Sequence, residues 1–525
     1  MRRVAKAGKS WRETLGAWLM PQAVAMLFLG FAAGIPILLI FSTLSVWLRE
    51  AGVDRAAVTF FSWAALGYSF KFLWAPLIDL MPLPWLTARM GRRRSWLLLT
   101  QAAVIVAILA MAAVNPAGEQ GQLTLMALAA VLLGFSSASQ DVVIDAYRIE
   151  CAAEEVQALL SSMYIAGYRL GMLVAGAGSL FLADMLGAGD GYSYAAWRTT
   201  YMVMAALMVI GVVTTLAVAE PERGQGRAAH HPAGAYGRLL AVLLLAMAGF
   251  ALTFFYAGAG IAEAGKYFPA LAGDSGNAGA FFFEAGRFAA ALAVGVVVVA
   301  AATRLGLADR KMALAAYYEP LQDFFSRYGL RTALLLLLLI GCYRLSDIIL
   351  GVVSNVFYLD MGFSKSAIAG ITKSFGLGMT LAGGFLGGLL TLRFGIDKIL
   401  FLGAFLSAAT NLLFMLLAGG DASITLLTLV IGADNLSAGI AATAFVAFLS
   451  SLTNISFTAV QYAVFSSLMT LLPKVVGGYS GTMVTHLGYE RFFLLTALVG
   501  IPVLAVIVLA ARAVRNGPST DTQGA

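Results

Sequence analysis

The chain has 525 residues, of which 60% are hydrophobic and 12% are charged. Soluble domains contain roughly 45–50% apolar and about 25% charged residues, so this composition excludes a soluble enzyme and indicates a polytopic membrane protein. The formal charge of +7 comes from 34 Lys and Arg against 27 Asp and Glu. A membrane protein carries such an excess in its cytoplasmic loops, so no nucleic-acid partner is predicted.

Apolar segments long enough to cross a bilayer number about fourteen. Six lie in the first part of the chain, at residues 22–48, 56–78, 95–114, 123–147, 157–183 and 197–219. Two follow at 239–260 and 288–303, and six more lie at 332–358, 366–392, 399–418, 424–449, 457–484 and 492–511. This order predicts an all-α membrane protein with two six-helix halves and two extra transmembrane helices between them.

The spacing of these segments also predicts domain boundaries and orientation. The predicted regions are a basic N-terminal segment at 1–21, an N-terminal half at 22–219, a linker with the two extra helices and an amphipathic stretch at 220–331, a C-terminal half at 332–511, and a tail at 512–525. Most Lys and Arg fall on one side when both termini lie in the cytoplasm, which is the orientation of the positive-inside rule. The chain is therefore expected to be a multi-pass membrane protein with both termini in the cytoplasm.

Two halves around a linker are typical of secondary transporters, whose substrate site lies between repeats near the bilayer midplane. The turn after the second segment of each half carries a similar motif, with Asp79 and then Gly91, Arg92 and Arg93 in the first half and Arg393 in the second. Both turns resemble the cytoplasmic loop motif of the major facilitator superfamily. The resemblance implies that fold, and a gating role for these five residues.

The absence of a nucleotide-binding motif limits the energy sources that could drive transport. Gly8-Lys9-Ser10 has Arg3 where a phosphate-binding loop needs its first glycine, so ATP hydrolysis within the chain is not predicted. Transport driven by an ion gradient is expected instead. No cofactor and no metal site are predicted.

Two carboxylates on the fourth segment are the candidate proton site. Asp141 and Asp145 are four residues apart and Arg148 follows three later, so the three side chains share one helix face. Ionisable residues inside a membrane are costly and are functional hypotheses by default. We expect Asp141 to carry the coupled proton, with Asp145 as its partner; a helix-end salt bridge of Asp145 with Arg148 is the alternative.

Further polar and aromatic side chains lie within the apolar segments of both halves. Cations there indicate an anionic substrate, and the aromatic rings indicate rings or sugars that stack against them. The candidate substrate-binding residues are Tyr68, Lys71, Trp74, Gln140, Tyr164, Tyr168, Arg169, Tyr343, Arg344, Asp347, Lys373, Asp434, Asn435 and Gln461. For each cation, pairing with an Asp of a neighbouring helix is the alternative.

Several segments carry a resemblance to one family. They are residues 48–53, 71–77, 91–96, 139–148, 167–171, 346–347, 443–447 and 457–463, and the most specific is Gln140-Asp141-x-x-x-Asp145-Ala146. Together they resemble the AmpG-type anhydromuropeptide permeases of Gram-negative bacteria. The two middle helices match only loosely.

The resemblance implies proton-driven import of N-acetylglucosamine-anhydro-N-acetylmuramyl peptides across the inner membrane. In that family the imported fragments feed peptidoglycan recycling and, in some species, the induction of a β-lactamase that gives β-lactam resistance. Such substrates carry sugar faces, amides and carboxylates, which suit Trp and Tyr, Gln, and Lys and Arg respectively. The expected partners are this anionic glycopeptide, protons and the bilayer, and the protein is expected to be monomeric.

Two alternatives stay open at this point. One is a major facilitator importer of another anionic solute, such as a peptide or a sugar acid. The other is an intramembrane prenyltransferase, because Asp141-x-x-x-Asp145 resembles the first half of a magnesium-diphosphate motif. That chemistry needs a second acidic cluster, and no other apolar segment has two acids at helical spacing.

Overall fold

A computed structural model describes residues 16–54, 61, 67–118, 120–188, 191–222, 233–267, 276–307, 309–477 and 480–516. Within these ranges the regular structure is helical, without a β-strand. Parts of the predicted N-terminal segment, second apolar segment, linker and tail lie outside the described residues.

The first six apolar segments form helices that are in several cases broken into shorter pieces. They are α1 (Pro21–Ile40), α2 (Ser42–Glu50), α3 (Gly67–Phe70), α4 (Ala75–Leu80), α5 (Leu86–Met90), α6 (Arg92–Ala112), α7 (Gln120–Glu150), α8 (Gln157–Leu173), α9 (Ser179–Ala183), α10 (Tyr194–Leu207) and α11 (Val209–Ala217). Short 3₁₀ turns lie at Ala17–Leu19, Lys71–Leu73 and Glu154–Val156, and π-helical turns at Val174–Gly178 and Asp184–Ala188.

The rest of the chain is also helical. Its helices are α12 (Ala233–Tyr267), α13 (Gly276–Arg304), α14 (Arg310–Ala313), α15 (Glu319–Cys342), α16 (Leu345–Asp360), α17 (Lys365–Ile368), α18 (Gly376–Phe394), α19 (Ile396–Ala418), α20 (Ile424–Leu452), α21 (Thr458–Gly477) and α22 (Ser480–Asn516). The turns Leu314–Tyr318 and Ala369–Phe375 are π-helical, and Ile455–Phe457 is a 3₁₀ turn. Both α15 and α22 bend at a glycine of positive φ, Gly329 and Gly488.

The described residues contain 11 helices that are long and apolar enough to cross a membrane. Two shorter apolar helices, Ala289–Arg304 and Ile455–Thr470, correspond to the eighth and thirteenth predicted segments. The second predicted segment is described only in part. The prediction of an all-α polytopic membrane protein is thereby confirmed.

The chain divides into two compact units. The first, called the core unit, comprises Met1–Lys71, Pro82–Gly226 and Tyr328–Ala525, and the second, called the insert unit, comprises Phe72–Met81 and Arg227–Arg327. The core unit thus contains most of both six-helix halves. The domain boundaries drawn from the sequence stay a prediction.

The insert unit is built around the two extra helices. Val242 of α12 packs with Val299 and Ala302 of α13. The Tyr317 hydroxyl donates a hydrogen bond of 2.7 Å to the carbonyl oxygen of Leu73. This bond ties the segment after Lys71 to the end of the insert.

Two glycines of α1 allow α8 to approach closely. A Cβ atom at Gly30 would lie 2.2 Å from the carbonyl oxygen of Tyr164, and one at Gly34 would lie 2.1 Å from that of Tyr168. Small residues four apart let membrane helices pack at such short distances, because lipid offers no hydrophobic drive for association. The crossing therefore fixes the position of both tyrosines along the helix axis.

The same spacing recurs on α8. A Cβ atom at Gly167 would lie 1.9 Å from the carbonyl oxygen of Leu27, and one at Gly171 would lie 2.2 Å from that of Phe31. Because Gly167 and Gly171 flank Arg169, the direction of this arginine depends on the helix crossing.

In the C-terminal half, α18 and α20 cross in a similar way. A Cβ atom at Gly383 would lie 2.1 Å from the carbonyl oxygen of Leu436, and one at Gly439 would lie 2.3 Å from that of Thr380. The approach brings the Thr380 hydroxyl to 2.8 Å from Oδ1 of Asn435, to which it donates a hydrogen bond.

We expect Gly167→Ala to lower the stability of the folded protein, because the added methyl group meets backbone that cannot move without separating α1 from α8. Overpacking of this kind costs about 1–3 kcal/mol. Gly351→Ala is the matched control, since Gly351 is exposed in the middle of α16 and its Cβ would meet nothing within 4 Å. Thermal unfolding of both purified variants in detergent measures the difference, and equal melting temperatures would contradict the packing argument.

Candidate functional site

Asp145 lies between two cations. Its Oδ2 is 3.8 Å from Nζ of Lys71, and its Oδ1 is 3.3 Å from Nη2 of Arg148. All three side chains are buried. Charge-assisted hydrogen bonds are typically about 2.7–2.9 Å long, so neither cation is drawn fully onto the carboxylate. One anion is shared between two cations, and the predicted pairing of Asp145 with Arg148 is part of this arrangement.

Asp141 lies one helical turn before Asp145 and is 7% exposed. Its Oδ1 has no hydrogen-bond partner among the residues that the structure describes. The Tyr164 hydroxyl lies beside the carboxyl group, and Lys71 and Asp145 are within electrostatic range. An acid in this position is held in place but incompletely paired, which suits a group that gains and loses a proton.

Gln140 is fully buried, at 0% exposure. Neither Oε1 nor Nε2 of its amide has a hydrogen-bond partner in the described part of the chain. A buried polar group left without a partner costs about 1–3 kcal/mol. Gln140 therefore offers an unused donor and an unused acceptor next to Asp141, which an amide group of a ligand or a shift of the neighbouring helices would satisfy.

Three of the predicted cations lie where helices are irregular. Lys71 begins the 3₁₀ turn between α3 and α4, and Arg344 lies in the turn between α15 and α16. Lys373 lies within the π-helical turn Ala369–Phe375, although its side chain is outside the described part. Broken helices form the substrate sites of many secondary transporters, because turns there expose backbone groups and re-aim side chains.

Aromatic side chains surround the acids of the N-terminal half. The hydroxyl groups of Tyr68 and Ser137 are 2.6 Å apart, and the rings of Tyr164 and Tyr168 have centroids 6.0 Å apart. All three tyrosines are half-buried. Trp74, which is buried, belongs to the insert unit.

Arg169 is exposed. Arg344 of the C-terminal half is near enough for the two positive charges to repel each other. The structure thus brings one cation from each half together.

The C-terminal half contributes two acids that solvent reaches in part. Oδ2 of Asp347 is 3.8 Å from Nε of Arg344, and Oδ1 of Asp434 accepts a hydrogen bond of 3.2 Å from the Thr410 hydroxyl. Asp347 and Asp434 are within electrostatic range of each other. These three charged side chains form a second cluster of the candidate site.

Other predicted binding residues have partners within their own half. The Tyr343 hydroxyl donates to the carbonyl oxygen of Leu400 at 3.0 Å, and its ring stacks on Phe445 at 4.2 Å. The backbone N–H of Asn454 donates to Oε1 of Gln461 at 2.8 Å. Nδ2 of Asn435 donates to a carbonyl of its own helix at 2.9 Å. In this conformation Tyr343 contacts both α19 and α20, whereas these contacts of Gln461 and Asn435 are local in the chain.

The loop motif forms a buried ion pair with a residue that the sequence analysis did not select. Nε and Nη2 of Arg93 donate to the two carboxylate oxygens of Glu150 at 2.9 and 2.5 Å, and Arg92 lies 3.9 Å from the same carboxylate. Glu150 ends α7, two residues beyond the resembling segment 139–148, and its closeness to that segment was the available signal. The pair fastens α6 to α7.

Glu220 is a second residue that sequence reasoning missed. Its two carboxylate oxygens accept the backbone N–H groups of Arg93 and Arg94 at 2.8 and 3.0 Å. A carboxylate at a helix N-terminus satisfies unpaired donors and complements the helix dipole. A Cβ atom at Gly91, whose φ is +84°, would lie 2.3 Å from the Glu220 side chain, so this glycine makes room for the cap.

The two remaining motif residues are Asp79 and Arg393. Asp79 is buried and belongs to the insert unit. Arg393 is exposed, and its guanidinium lies 5.7 Å from the ring centroid of Phe394.

Comparisons with known proteins agree with this architecture. Residues 23–318, more than half of the chain, match the Major Facilitator Superfamily. The structure of the proton:xylose symporter XylE matches 94% of this chain and 96% of its own, at 13% sequence identity and with a TM-score of 0.57. For the Escherichia coli fucose:proton symporter FucP the identity is 11%, the TM-score is 0.57, and the coverage is 94% of this chain and 99% of that one.

Sequence relatives narrow the assignment. The transporter AmpG 4 of Rickettsia conorii is 30% identical over 480 residues, which are 91% of this chain and 94% of the relative. The anhydromuropeptide permease of Escherichia coli K12 is 29% identical over 498 residues, 95% of this chain and 81% of the permease. These relatives are transporters rather than enzymes, which removes the prenyltransferase alternative. The chain belongs to the major facilitator superfamily and, within it, to the AmpG-type transporters.

Proposed function

We propose that this chain imports anhydromuropeptides from the periplasm into the cytoplasm together with protons. The permease of Escherichia coli, which aligns with 95% of the chain, supports the substrate class. The imported N-acetylglucosamine-anhydro-N-acetylmuramyl peptides would enter peptidoglycan recycling. The protein would act as a monomer in the inner membrane.

The distribution of basic residues supports an orientation with both termini in the cytoplasm. The end of the core unit that carries Arg92, Arg93, Arg94 and Arg148, called the basic end, then faces the cytoplasm. At this end, the Arg93–Glu150 ion pair and the Glu220 cap make the N-terminal half rigid.

The observation that carries proton coupling is the incompletely paired Asp141 beside the shared anion Asp145. Lys71 is within reach of both acids. When either acid gains a proton, Lys71 loses part of its anionic partner and becomes available to a substrate carboxylate. Protonation and substrate binding would thus favour each other.

The chemistry around these acids fits the proposed substrate. Tyr68, Tyr164 and Tyr168 offer ring faces and hydroxyl groups to a disaccharide, and Gln140 offers both sides of an amide to a peptide bond. Arg169 and Arg344 place two mutually repelling cations close together. A bound carboxylate between them would relieve this repulsion, which favours an anionic ligand over a neutral one.

Uptake of labelled anhydromuropeptide into proteoliposomes, with and without an imposed pH gradient, tests the proposal. Accumulation that requires an acidic outer side is expected. Unlabelled anhydromuropeptide should compete, whereas unrelated peptides and sugar acids should not. Uptake of a peptide or a sugar acid, without uptake of anhydromuropeptide, would establish the alternative importer instead.

We expect Asp141→Asn to abolish gradient-driven accumulation, because the amide keeps the shape of the carboxyl group but cannot carry a proton. Exchange of labelled for unlabelled substrate without a gradient should persist, since it needs no net proton movement. Asp184→Asn is the control, because Asp184 is an exposed acid of the same half.

Uptake and exchange measured on the same proteoliposomes separate the two effects. Wild-type accumulation by Asp141→Asn would remove this acid from the mechanism. A loss confined to Asp145→Asn would move the coupled proton to Asp145.

We expect Lys71→Gln and Arg169→Gln to weaken binding of an anionic anhydromuropeptide by about 10- to 100-fold, the value of one hydrogen bond to a charged group. An anhydrodisaccharide whose lactyl carboxyl group has been amidated carries no charge, so its affinity should change much less. Lys398→Gln is the control, since Lys398 is exposed near the start of α19. Calorimetric titration of each variant with both ligands makes the comparison.

Equal losses for the charged and the uncharged ligand would mean that these cations are structural. In that case Lys71 would serve only as the partner of Asp145, the alternative that its distance of 3.8 Å already allows.

A further inference from the structure

We propose that Arg148 clamps the two six-helix halves together at the basic end, and that Asp145 connects this clamp to the transport site. The connection rests on the proposed function, because it assigns Lys71 and the two acids to that site. Arg148 acts here as a positioning residue that touches neither proton nor substrate.

The contacts of Arg148 with the C-terminal half form the clamp. Nη1 donates a hydrogen bond of 2.8 Å to the Ser450 hydroxyl near the end of α20. The guanidinium carbon also lies 5.2 Å from the ring centroid of Tyr462 on α21. Arg148, Ser450 and Tyr462 are buried, so water does not screen these interactions.

The N-terminal half holds the guanidinium from the other side. Nη1 also reaches Oε1 of Gln157 at 3.2 Å and the Ser161 hydroxyl at 3.1 Å. Nε2 of Gln157 donates to the carbonyl oxygen of Arg148 at 3.0 Å, which fixes the turn between α7 and α8. The side chain is therefore aimed at the C-terminal half by its own half.

The clamp is able to release. Nε of Arg148 has no hydrogen-bond partner among the described residues, so the guanidinium is not fully satisfied. If α20 and α21 withdraw, Arg148 keeps Asp145, Gln157 and Ser161 and gains water in place of Ser450. Opening thus leaves no buried, unpaired charge, which a structural ion pair would leave.

Asp145 provides the connection to the site. The same carboxylate contacts Arg148 through Oδ1 and Lys71 through Oδ2. A proton on Asp145, or a substrate anion that draws Lys71 away, changes the charge or the direction of this carboxylate. When Asp145 gains a proton, Arg148 loses an anionic group that aims it at Ser450. When Lys71 is drawn away, Asp145 is left to Arg148 alone.

Two other contacts that the structure describes at this end, reaching the C-terminal half from residues before and within the N-terminal half, are apolar or steric. The ring centroids of Trp18 and Phe385 are 4.8 Å apart, and a Cβ atom at Gly388 would lie 2.8 Å from the Ser162 hydroxyl. These contacts close the end but have no charge through which the site could act on them. Transporters of this kind work by rocking one repeat against the other, so a contact that senses the site is needed where the halves part.

Distance measurements between spin labels test the clamp. Labels on Glu155→Cys and Ser456→Cys, two exposed positions at the basic end of either half, report its opening in the full chain in lipid nanodiscs. The background carries Cys151→Ser and Cys342→Ser, which removes both native thiols.

We expect Arg148→Gln to raise the ratio of long to short distances by at least about tenfold, as for the loss of a hydrogen bond to a charged group. Arg148→Lys, which keeps the charge but not the planar fork, should shift the ratio in the same direction. An unchanged ratio in both folded variants would overturn the clamp.

Two neighbouring serines near the end of α20, Ser450 and Ser451, provide a test variant and its matched control. Ser450→Ala should open the end, and Ser450→Thr, which retains a hydroxyl group, should restore it. Ser451→Ala should have no effect, because Ser451 donates to Phe448 of its own helix at 2.8 Å. Equal effects of Ser450→Ala and Ser451→Ala would also overturn the clamp.

Asp145→Asn tests the connection to the site. An increase in the long distances similar to that of Arg148→Gln is expected, and an unchanged ratio in this variant alone would refute the connection while leaving the clamp. The distances require no substrate, so failure of anhydromuropeptide uptake by the wild type would refute the proposed function without affecting this result.

Discussion

The sharing of Asp145 between Lys71 and Arg148 is the interaction on which the candidate site depends. A charge inside a membrane must be paired or hydrated, since leaving it alone costs several kcal/mol. Here one carboxylate serves two cations from different helices, and neither distance is short. With Asp141 beside Lys71, the network holds two acids and two cations, and Asp141 is incompletely paired among the described residues. A proton added to one of these acids, or an anion supplied by a ligand, changes the balance of charge in this network. Protonation and ligand binding can therefore affect each other.

Backbone packing decides where these charges can meet. Gly30 and Gly34 let α1 contact the carbonyls of Tyr164 and Tyr168, and these tyrosines lie beside the acids of α7. A substitution at either glycine would thus displace the site without touching a charged group. In a bilayer this close packing must also drive the association of the helices, because lipid tails are as apolar as the side chains on the helix surfaces.

Much of this arrangement was predictable from the sequence. The physical reasons for this also explain which features could not be predicted. Long apolar runs identify membrane helices, and the helical period places Asp141, Asp145 and Arg148 on one face. The breaks at Lys71 and Arg344 were not predicted, because the apolar runs continue through them. Glu150 and Glu220 were not selected either, since acids at the ends of apolar segments are ordinary and their partners are distant in sequence.

The acids of the two halves differ in their exposure to solvent. This difference bears on when each acid exchanges its proton during transport. Asp141 and Asp145 are buried, whereas solvent reaches Asp347 and Asp434 in part. A buried acid exchanges its proton only when neighbouring groups move, while an accessible one equilibrates with the solution in the present conformation. The N-terminal pair is therefore better suited to keep a proton while the protein changes conformation. Because Arg148 joins the N-terminal pair to the C-terminal half, movement of the halves and exchange of that proton would occur together.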